Sequence, residues 1–215
     1  MSEVTVWGIP GSPYVRAALL GLEEKQVPYR LERMGFGDAR KPDHLERHPF
    51  ARIPAFQHGD FALYETQAIL RYVDAVFPGL SLQPSDPRAA ARMNQMIGIV
   101  DWYFFRDISA TIGFNRIIAP TFGFPVDETV VTAALPKAEI CIGAVAALIG
   151  DNDYVAGDAL SIADLMLVPH FEFFATTPEG RAILAPYPRL TAWLERMQER
   201  DSMAKTSWEQ LSKAA

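Results

Sequence analysis

Residues 53–76 read IPAFQHGDFALYETQAILRYVDAV, and their reading decides the fold. Ala55-Phe56-Gln57 and Phe61-Ala62-Leu63 flank His58-Gly59-Asp60, a glycine-centred turn between two runs able to pair as a hairpin. Pro54 has no N–H to give to a sheet ladder, so it belongs at a strand's start or edge. Ala68, Ile69, Tyr72, Val73 and Val76 then recur at the spacing of one helix face. The stretch is an antiparallel hairpin running straight into an amphipathic helix.

Upstream, Val4 to Trp7 is a short strand-like run ended by Gly8-Ile-Pro-Gly. Pro13 to Glu24 carries Val15, Ala18, Leu19 and Leu22 on one helix face. Tyr29 to Leu31 reads as a second strand and Pro42 to Glu46 as a short helix. The order is β-α-β-α-β-β-α. Its opening βαβ unit needs a crossover and implies parallel pairing, whereas the hairpin is antiparallel. A mixed four-stranded sheet with helices on both faces follows, an α/β, thioredoxin-like layout.

Downstream, Phe77 to Pro87 (FPGLSLQPSDP) holds three prolines, a glycine and two serines, the composition of a linker. The expected division is residues 1–78, a linker at 79–87, and an all-α part over 88–215. Met93–Ile112, Val130–Ile149, Ile162–Phe174 and Leu190–Glu199 each carry helical or all-round apolar patterns. The third has an S-x-x-D cap in Ser161 and Asp164, with Leu160 and Leu165 placed to staple across it. Leu165-Met-Leu-Val is apolar all round, so this helix is expected to be buried, with Pro169 kinking or ending it.

Composition narrows the function. Of 215 residues 49% are hydrophobic and 21% charged, which excludes a disordered chain. A net charge of −6 argues against a general nucleic-acid or anionic-membrane binder. The single cysteine, Cys141, excludes a disulfide framework, a dithiol redox pair and a multi-cysteine metal site. The opening MSEVTVWGIP has neither a basic leader nor a long apolar stretch, and the run Ile140–Ile149 is about half a bilayer span. A soluble, cytoplasmic protein is the expectation.

Four places invite chemistry. Ser12-Pro13 is a helix start, serine at the N-cap and proline at the first helical position. The Ser12 hydroxyl either caps the Val15 amide or, with the helix N-terminus, faces an anion at the sheet's C-terminal edge. At Arg52-Ile53-Pro54, a cis bond would turn the Ile53 backbone outward to pair with an extended, peptide-like ligand. At Glu65-Thr66, Thr66 can cap the following helix and Glu65 suits its positive end. Beyond capping, the pair can recognise the carboxylate and ammonium of an α-amino acid. Between residues 30 and 52, six basic residues (Arg30, Arg33, Arg40, Lys41, Arg47, Arg52) outnumber four acidic ones in an acidic chain. Solvated helix faces explain most such clusters, and a small anionic ligand would profit from two or three of these side chains.

Taken together, these pieces resemble the glutathione transferase family over essentially the whole chain. The family's phi class has a basic pair before a P-x-H-L helix, then N-P-F-G-x-[IV]-P, then E-S opening the last helix. The matching residues are Arg40-Lys41, His48-Pro-Phe-Ala-Arg-Ile-Pro54 and Glu65-Thr66. Tyr154 to Asp164 is similar to the family's capping-box helix. His48, Ala51 and Thr66 depart from the pattern, Gln67 replaces a basic residue, and the Ser12–Arg16 spacing is closer to theta. A bacterial-type, phi- or theta-like member is the reading.

The resemblance implies that Ser12 donates a hydrogen bond to the glutathione sulfur, while Ile53, beside a cis Pro54, pairs with the cysteinyl unit. Glu65 and Thr66 would hold the γ-glutamyl end, and Arg40, Lys41 and Arg52 the glycine carboxylate. A small hydrophobic electrophile is expected against Ile9, Pro10, Tyr14, Tyr103, Phe105, Arg106 and Phe114, with Tyr14 the alternative thiolate partner. About half of these aromatics, and Trp102, are expected in the core. Phe50 sits where relatives place an aromatic that enters the partner subunit of a homodimer; the other reading is a core phenylalanine. Glutathione is the only co-substrate implied, with no metal, and detoxification is the implied role. Peroxide reduction and dehalogenation stay open on the same site, as does a non-catalytic binding protein. Thiol–disulfide exchange is disfavoured by Ser12 standing where a thiol is needed. Maleylacetoacetate isomerisation is disfavoured by the missing S-S-C run.

Overall fold

Alternation decides the first strand. In the computed structural model, which describes residues 3–213, Val4 and Val6 of β1 (Val4–Gly8) point into a core while Trp7 lies on the other face under the Arg47 guanidinium, 4.9 Å away. α1 (Pro13–Glu24) follows, and it buries Val15, Ala18, Leu19 and Leu22. β2 (Arg30–Arg33) pairs parallel with β1, in the register Thr5 to Arg30 and Val6 to Leu31. A 3-10 turn over Asp38–Arg40 and the one-turn α2 (Pro42–Leu45) lead to β3 (Ala55–His58) and β4 (Phe61–Tyr64). β3 pairs antiparallel with both β1 and β4, giving the order β2-β1-β3-β4. α3 (Thr66–Val76) packs beside α1, and Ile69 and Val73 close the same core over Phe56. The mixed four-stranded sheet expected from the sequence is the one observed.

The second unit, Pro84 to Met197, is helical. α4 (Pro87–Ile99) is capped by the Asp86 carboxylate and continues as a π-wound segment over Val100–Ile118, then α5 (Ala119–Phe122). α6 (Glu128–Ile149), α7 (Ile162–Ala175), α8 (Pro178–Leu184) and α9 (Pro188–Gln198) complete it. α7 is buried along nearly its whole length. It runs through Pro169 without ending, so that proline is absorbed inside the helix. Its start is fixed by Asp164, which is fully buried and accepts four hydrogen bonds. The donors are the N–H (2.9 Å) and Oγ (2.8 Å) of Ser161, the Val155 N–H (2.8 Å) and the Trp193 Nε1 (2.9 Å). α6 extends well beyond the run Ile140–Ile149. With 22 residues, and a mean hydropathy of 1.6 over an 18-residue stretch, it is long and apolar enough, by length and composition, to cross a membrane. Its buried residues, Val131, Ala134, Ala138, Cys141, Ile142, Val145 and Ile149, recur at steps of three or four with Cys141 and Ile142 side by side, the stripe of a helix packed on one side.

The chain from Gln198 onward departs from the expected division, because it belongs with the first unit. α10 (Asp201–Lys205) and α11 (Trp208–Lys213) follow. The Glu24 carboxylate, at the end of α1, takes both arms of the Arg200 guanidinium (2.7 and 2.6 Å) and the Ser202 hydroxyl (2.5 Å). Burial works to raise the Glu24 pKa, yet the hydrogen bonds from Arg200 and Ser202 prevail and hold it below the ordinary 4.5. A depressed carboxyl stabilises the fold above its unfolded pKa and loses that contribution as pH falls through the folded value. Glu24→Gln is expected to cost about 2 kcal/mol at pH 7. In urea unfolding at stepped pH, its deficit against wild type should shrink steadily below pH 4.5; a deficit independent of pH contradicts the assignment.

Candidate active site

The end of β1 is where the first unit gathers its reactive groups. Gly8 stops the strand, and its carbonyl accepts the Met34 N–H (3.0 Å) from the end of β2. The chain turns through Gly11, at φ +83°, and the Ser12 N–H donates to the Ile9 carbonyl (3.1 Å). Ser12 has extended N-cap backbone, Pro13 is the first helical residue, and the Ser12 carbonyl accepts the Arg16 N–H (2.8 Å). Only the direction of the hydroxyl separated the two readings of this serine. The structure shows no side-chain cap bond, so the half-buried hydroxyl is not spent on the Val15 amide. Beside it is the positive end of the helix dipole. An anion placed there is stabilised by the hydroxyl and the dipole without any general base.

The sheet register brings two more candidates to this end. Ala55 stands opposite Trp7 on one side and Tyr64 on the other. Counting one and two residues further puts Pro54 level with Gly8 and Glu65, and Ile53 level with Ile9 and Thr66. The Ile53–Pro54 bond is cis. Pro54 is buried, Ile53 half-buried, and the Ile53 N–H and carbonyl make no backbone hydrogen bond among the described residues. The cap expected of Thr66 is corrected: Glu65 occupies the N-cap position and Thr66 the first helical one. Thr66 is buried, and its hydroxyl donates to the Tyr14 carbonyl at 3.5 Å, a weak tie from α3 to the first turn of α1. Glu65 is exposed at φ +71°, a left-handed conformation that costs a non-glycine residue roughly 1–3 kcal/mol. Its N-cap position sets an acidic residue at the positive end of α3.

The basic residues lie on the surface. Arg40 and Arg52 are exposed, and Lys41 is exposed and paired with Asp38 (2.7 Å). The Arg52 carbonyl meets the buried His44 Nε2 (2.7 Å). His48 is buried against the Tyr64 ring at 4.7 Å, and desolvation there keeps its pKa below the usual histidine value. Phe50 is not a core residue: it is 68% exposed, with its ring edge-on to Tyr64 (6.1 Å).

Of the electrophile candidates in this unit, Ile9, Pro10 and Tyr14 are half-buried. In the helical unit Tyr103 and Arg106 are exposed and Phe105 and Phe114 half-buried, so none of the proposed residues is core. Trp102, expected in the core, is 72% exposed, because it stands two residues from the buried Val100 and Phe104 and so lies on the opposite side of the helix from them. Arg106 is paired with Asp107 (2.9 Å). Phe114 stacks on Phe124 (6.2 Å, 16° between planes), and Phe124 on Phe122, an aromatic ladder that sequence periodicity did not reveal. Cys141 is buried, and desolvation pushes its thiol up to about 12. Trp208 was also missed, since the segment after Glu199 carries too short an apolar pattern to read. Its indole lies against Gly11, the residue before Ser12.

Comparison with known proteins gives the family. A model of the glutathione S-transferase N-terminal domain matches residues 2–75 and one of the C-terminal domain residues 128–196. The chain is 32% identical over 216 residues to glutathione S-transferase 1 of Triticum aestivum, covering 95% of this chain and 93% of the relative. It is also 32% identical to a probable glutathione S-transferase of Oryza sativa, over 95% of each chain. The structure of maize glutathione S-transferase I in complex with an atrazine glutathione conjugate superposes with a TM-score of 0.83 at 29% identity, covering 100% of both chains.

Proposed function

The chain belongs to the glutathione S-transferase family, and on that premise we propose how its own residues conduct the transfer of glutathione to an electrophile. The observation that carries the proposal is the Ser12 hydroxyl, half-exposed at the N-terminus of α1 and not engaged in capping it. It donates a hydrogen bond to the glutathione sulfur. The Ile53 backbone pairs with the cysteinyl peptide unit. Glu65 receives the γ-glutamyl ammonium, and the start of α3 at Thr66 its carboxylate. Arg40, Lys41 and Arg52 supply positive charge for the glycine carboxylate, which accounts for a basic surface on a chain of net charge −6.

Magnitudes make this sufficient. A free thiol titrates near ~8.5, so only a few per cent is thiolate at neutral pH. Lowering that value by ~2 units takes about 2.7 kcal/mol of preferential stabilisation of the anion. A hydrogen bond to a charged group contributes roughly 1.5–3 kcal/mol and a helix N-terminus roughly 0.3–2. The thiolate then attacks an electrophilic carbon. A carbon–sulfur bond forms, the leaving group departs with its electron pair, and the thiol proton has already passed to solvent. Ile9, Pro10, Tyr14, Tyr103, Phe105, Arg106 and Phe114 are the proposed electrophile contacts. The exposed Phe50 ring is the proposed contact of a homodimer.

Thiol–disulfide exchange finds no support, since it needs an accessible thiolate and Cys141 is buried with its thiol raised. Retention on immobilised glutathione, together with conjugation of 1-chloro-2,4-dinitrobenzene, is the expected result. A protein that passes through the column and conjugates nothing is a scaffold, and the proposal fails.

A further inference from the structure

The β1–α1 turn has a neighbour from the far end of the chain. A methyl group placed on Gly11 would fall 2.6 Å from Cε3 and 3.2 Å from Cζ3 of Trp208, so the indole lies against the Gly11 backbone. Gly11 is thus required twice, by its φ of +83° and by this ring.

The ring is held on both sides. Before it, Arg16 of α1 donates to the Met203 carbonyl (3.2 Å) and the Thr206 hydroxyl (3.4 Å), and Thr206 bonds back to the Ser202 carbonyl (2.8 Å). After it, the Arg33 guanidinium donates to the Leu211 carbonyl, and the Leu211 side chain enters the sheet core. Anchored so firmly, Trp208 nevertheless leaves 54% of its surface exposed. A large apolar ring that is fixed and half-open, one residue from Ser12, has a surface left to cover something.

We propose that Trp208 is a specificity-determining residue, its indole forming a stacking wall for a planar aromatic electrophile beside the glutathione sulfur. The proposal rests on the reading of Ser12 as the hydrogen-bond partner of that sulfur. Electron-poor rings bearing a leaving group suit the wall best, because the indole face is electron-rich and offset stacking places opposite charge distributions in contact. The ring does not enter the chemistry; it orients the carbon that the thiolate attacks. Ile9 and Pro10, immediately before Gly11 in the same turn, are apolar and half-buried.

The test is steady-state kinetics with 1-chloro-2,4-dinitrobenzene on wild type and the variants Trp208→Ala, Trp208→Leu and Trp208→Phe. The Ala and Leu variants should raise KM for the aryl halide about five- to tenfold. KM for glutathione should stay within about twofold of wild type in all three. Trp208→Phe, which keeps an aromatic face, should restore most of the aryl-halide KM. A Leu variant that matches wild type shows that the residue is only an apolar anchor of its helix and overturns the inference. So does a glutathione KM that rises as much as that of the aryl halide. Wild-type protein that neither binds glutathione nor conjugates overturns the reading of the site, and this inference with it; an active wild type with indifferent variants overturns the inference alone.

Discussion

Ser12→Ala is expected to lower kcat/KM for aryl-halide conjugation by between about tenfold and a hundredfold, while glutathione is still retained. The factor is that of one hydrogen bond to a charged group, roughly 1.5–3 kcal/mol. Binding should survive because the other proposed contacts come from elsewhere: the Ile53 backbone, Glu65, the start of α3 and the basic surface. The dipole of α1 also survives, since no cap bond from the Ser12 side chain is lost with the hydroxyl. That point separates this serine from an ordinary N-cap, whose removal typically costs about 1 kcal/mol of stability. Urea unfolding of the variant should therefore match wild type within about 0.5 kcal/mol. Near-wild-type turnover would instead assign the sulfur contact to Tyr14, on the same helix turn.

Asp164→Ala should have the largest effect on stability of any single change considered. The carboxylate is fully buried and accepts from the Val155 and Ser161 amides, the Ser161 hydroxyl and the Trp193 indole. Burial raises its pKa and the four donors act against that rise. Alanine would leave all four donors buried without an acceptor, each at about 1–3 kcal/mol before relaxation, and would undo the start of the most buried helix. A loss of about 4 kcal/mol is expected, or a Tm lower by roughly 10 °C. Asp164→Asn keeps one oxygen and should recover part of the loss. Calorimetry of the two variants checks both statements, and a shift of a degree or two would remove Asp164 from its place at the centre of the helical unit.

Much of the fold was legible because its punctuation is local. Ser12-Pro13 starts α1, Gly59 turns the hairpin, and Ser161 with Asp164 opens α7; each signal lies within four residues of what it controls. β2 was harder, since Arg30-Leu-Glu-Arg33 is an edge strand with little apolar alternation to read. The π-wound segment was illegible, because i→i+5 and i→i+4 winding share the same kinds of residue and only the hydrogen bonds tell them apart. α10 and α11 were missed for another reason: Arg200 with Glu24, Arg16 with Met203 and Arg33 with Leu211 join residues nearly the whole chain apart.

The site shows the same contrast. Ser12, Ile53, Pro54, Glu65 and Thr66 could be named because their types match a spacing. Whether Ser12 caps or faces outward could not, since both uses share one backbone geometry. Thr66 was misjudged as a cap because nothing local announces that Glu65 adopts a positive φ. Trp208 carried no signal at all, as its importance comes from a contact with Gly11 across almost 200 residues.

The most direct measurement is the ultraviolet titration of the thiol of bound glutathione in wild type and in Ser12→Ala. The wild-type complex should ionise about 2 units below the free value of ~8.5, and the variant complex close to that free value. A bound thiol that titrates like free glutathione in the wild-type protein, or equally low in both, would contradict the role given to Ser12.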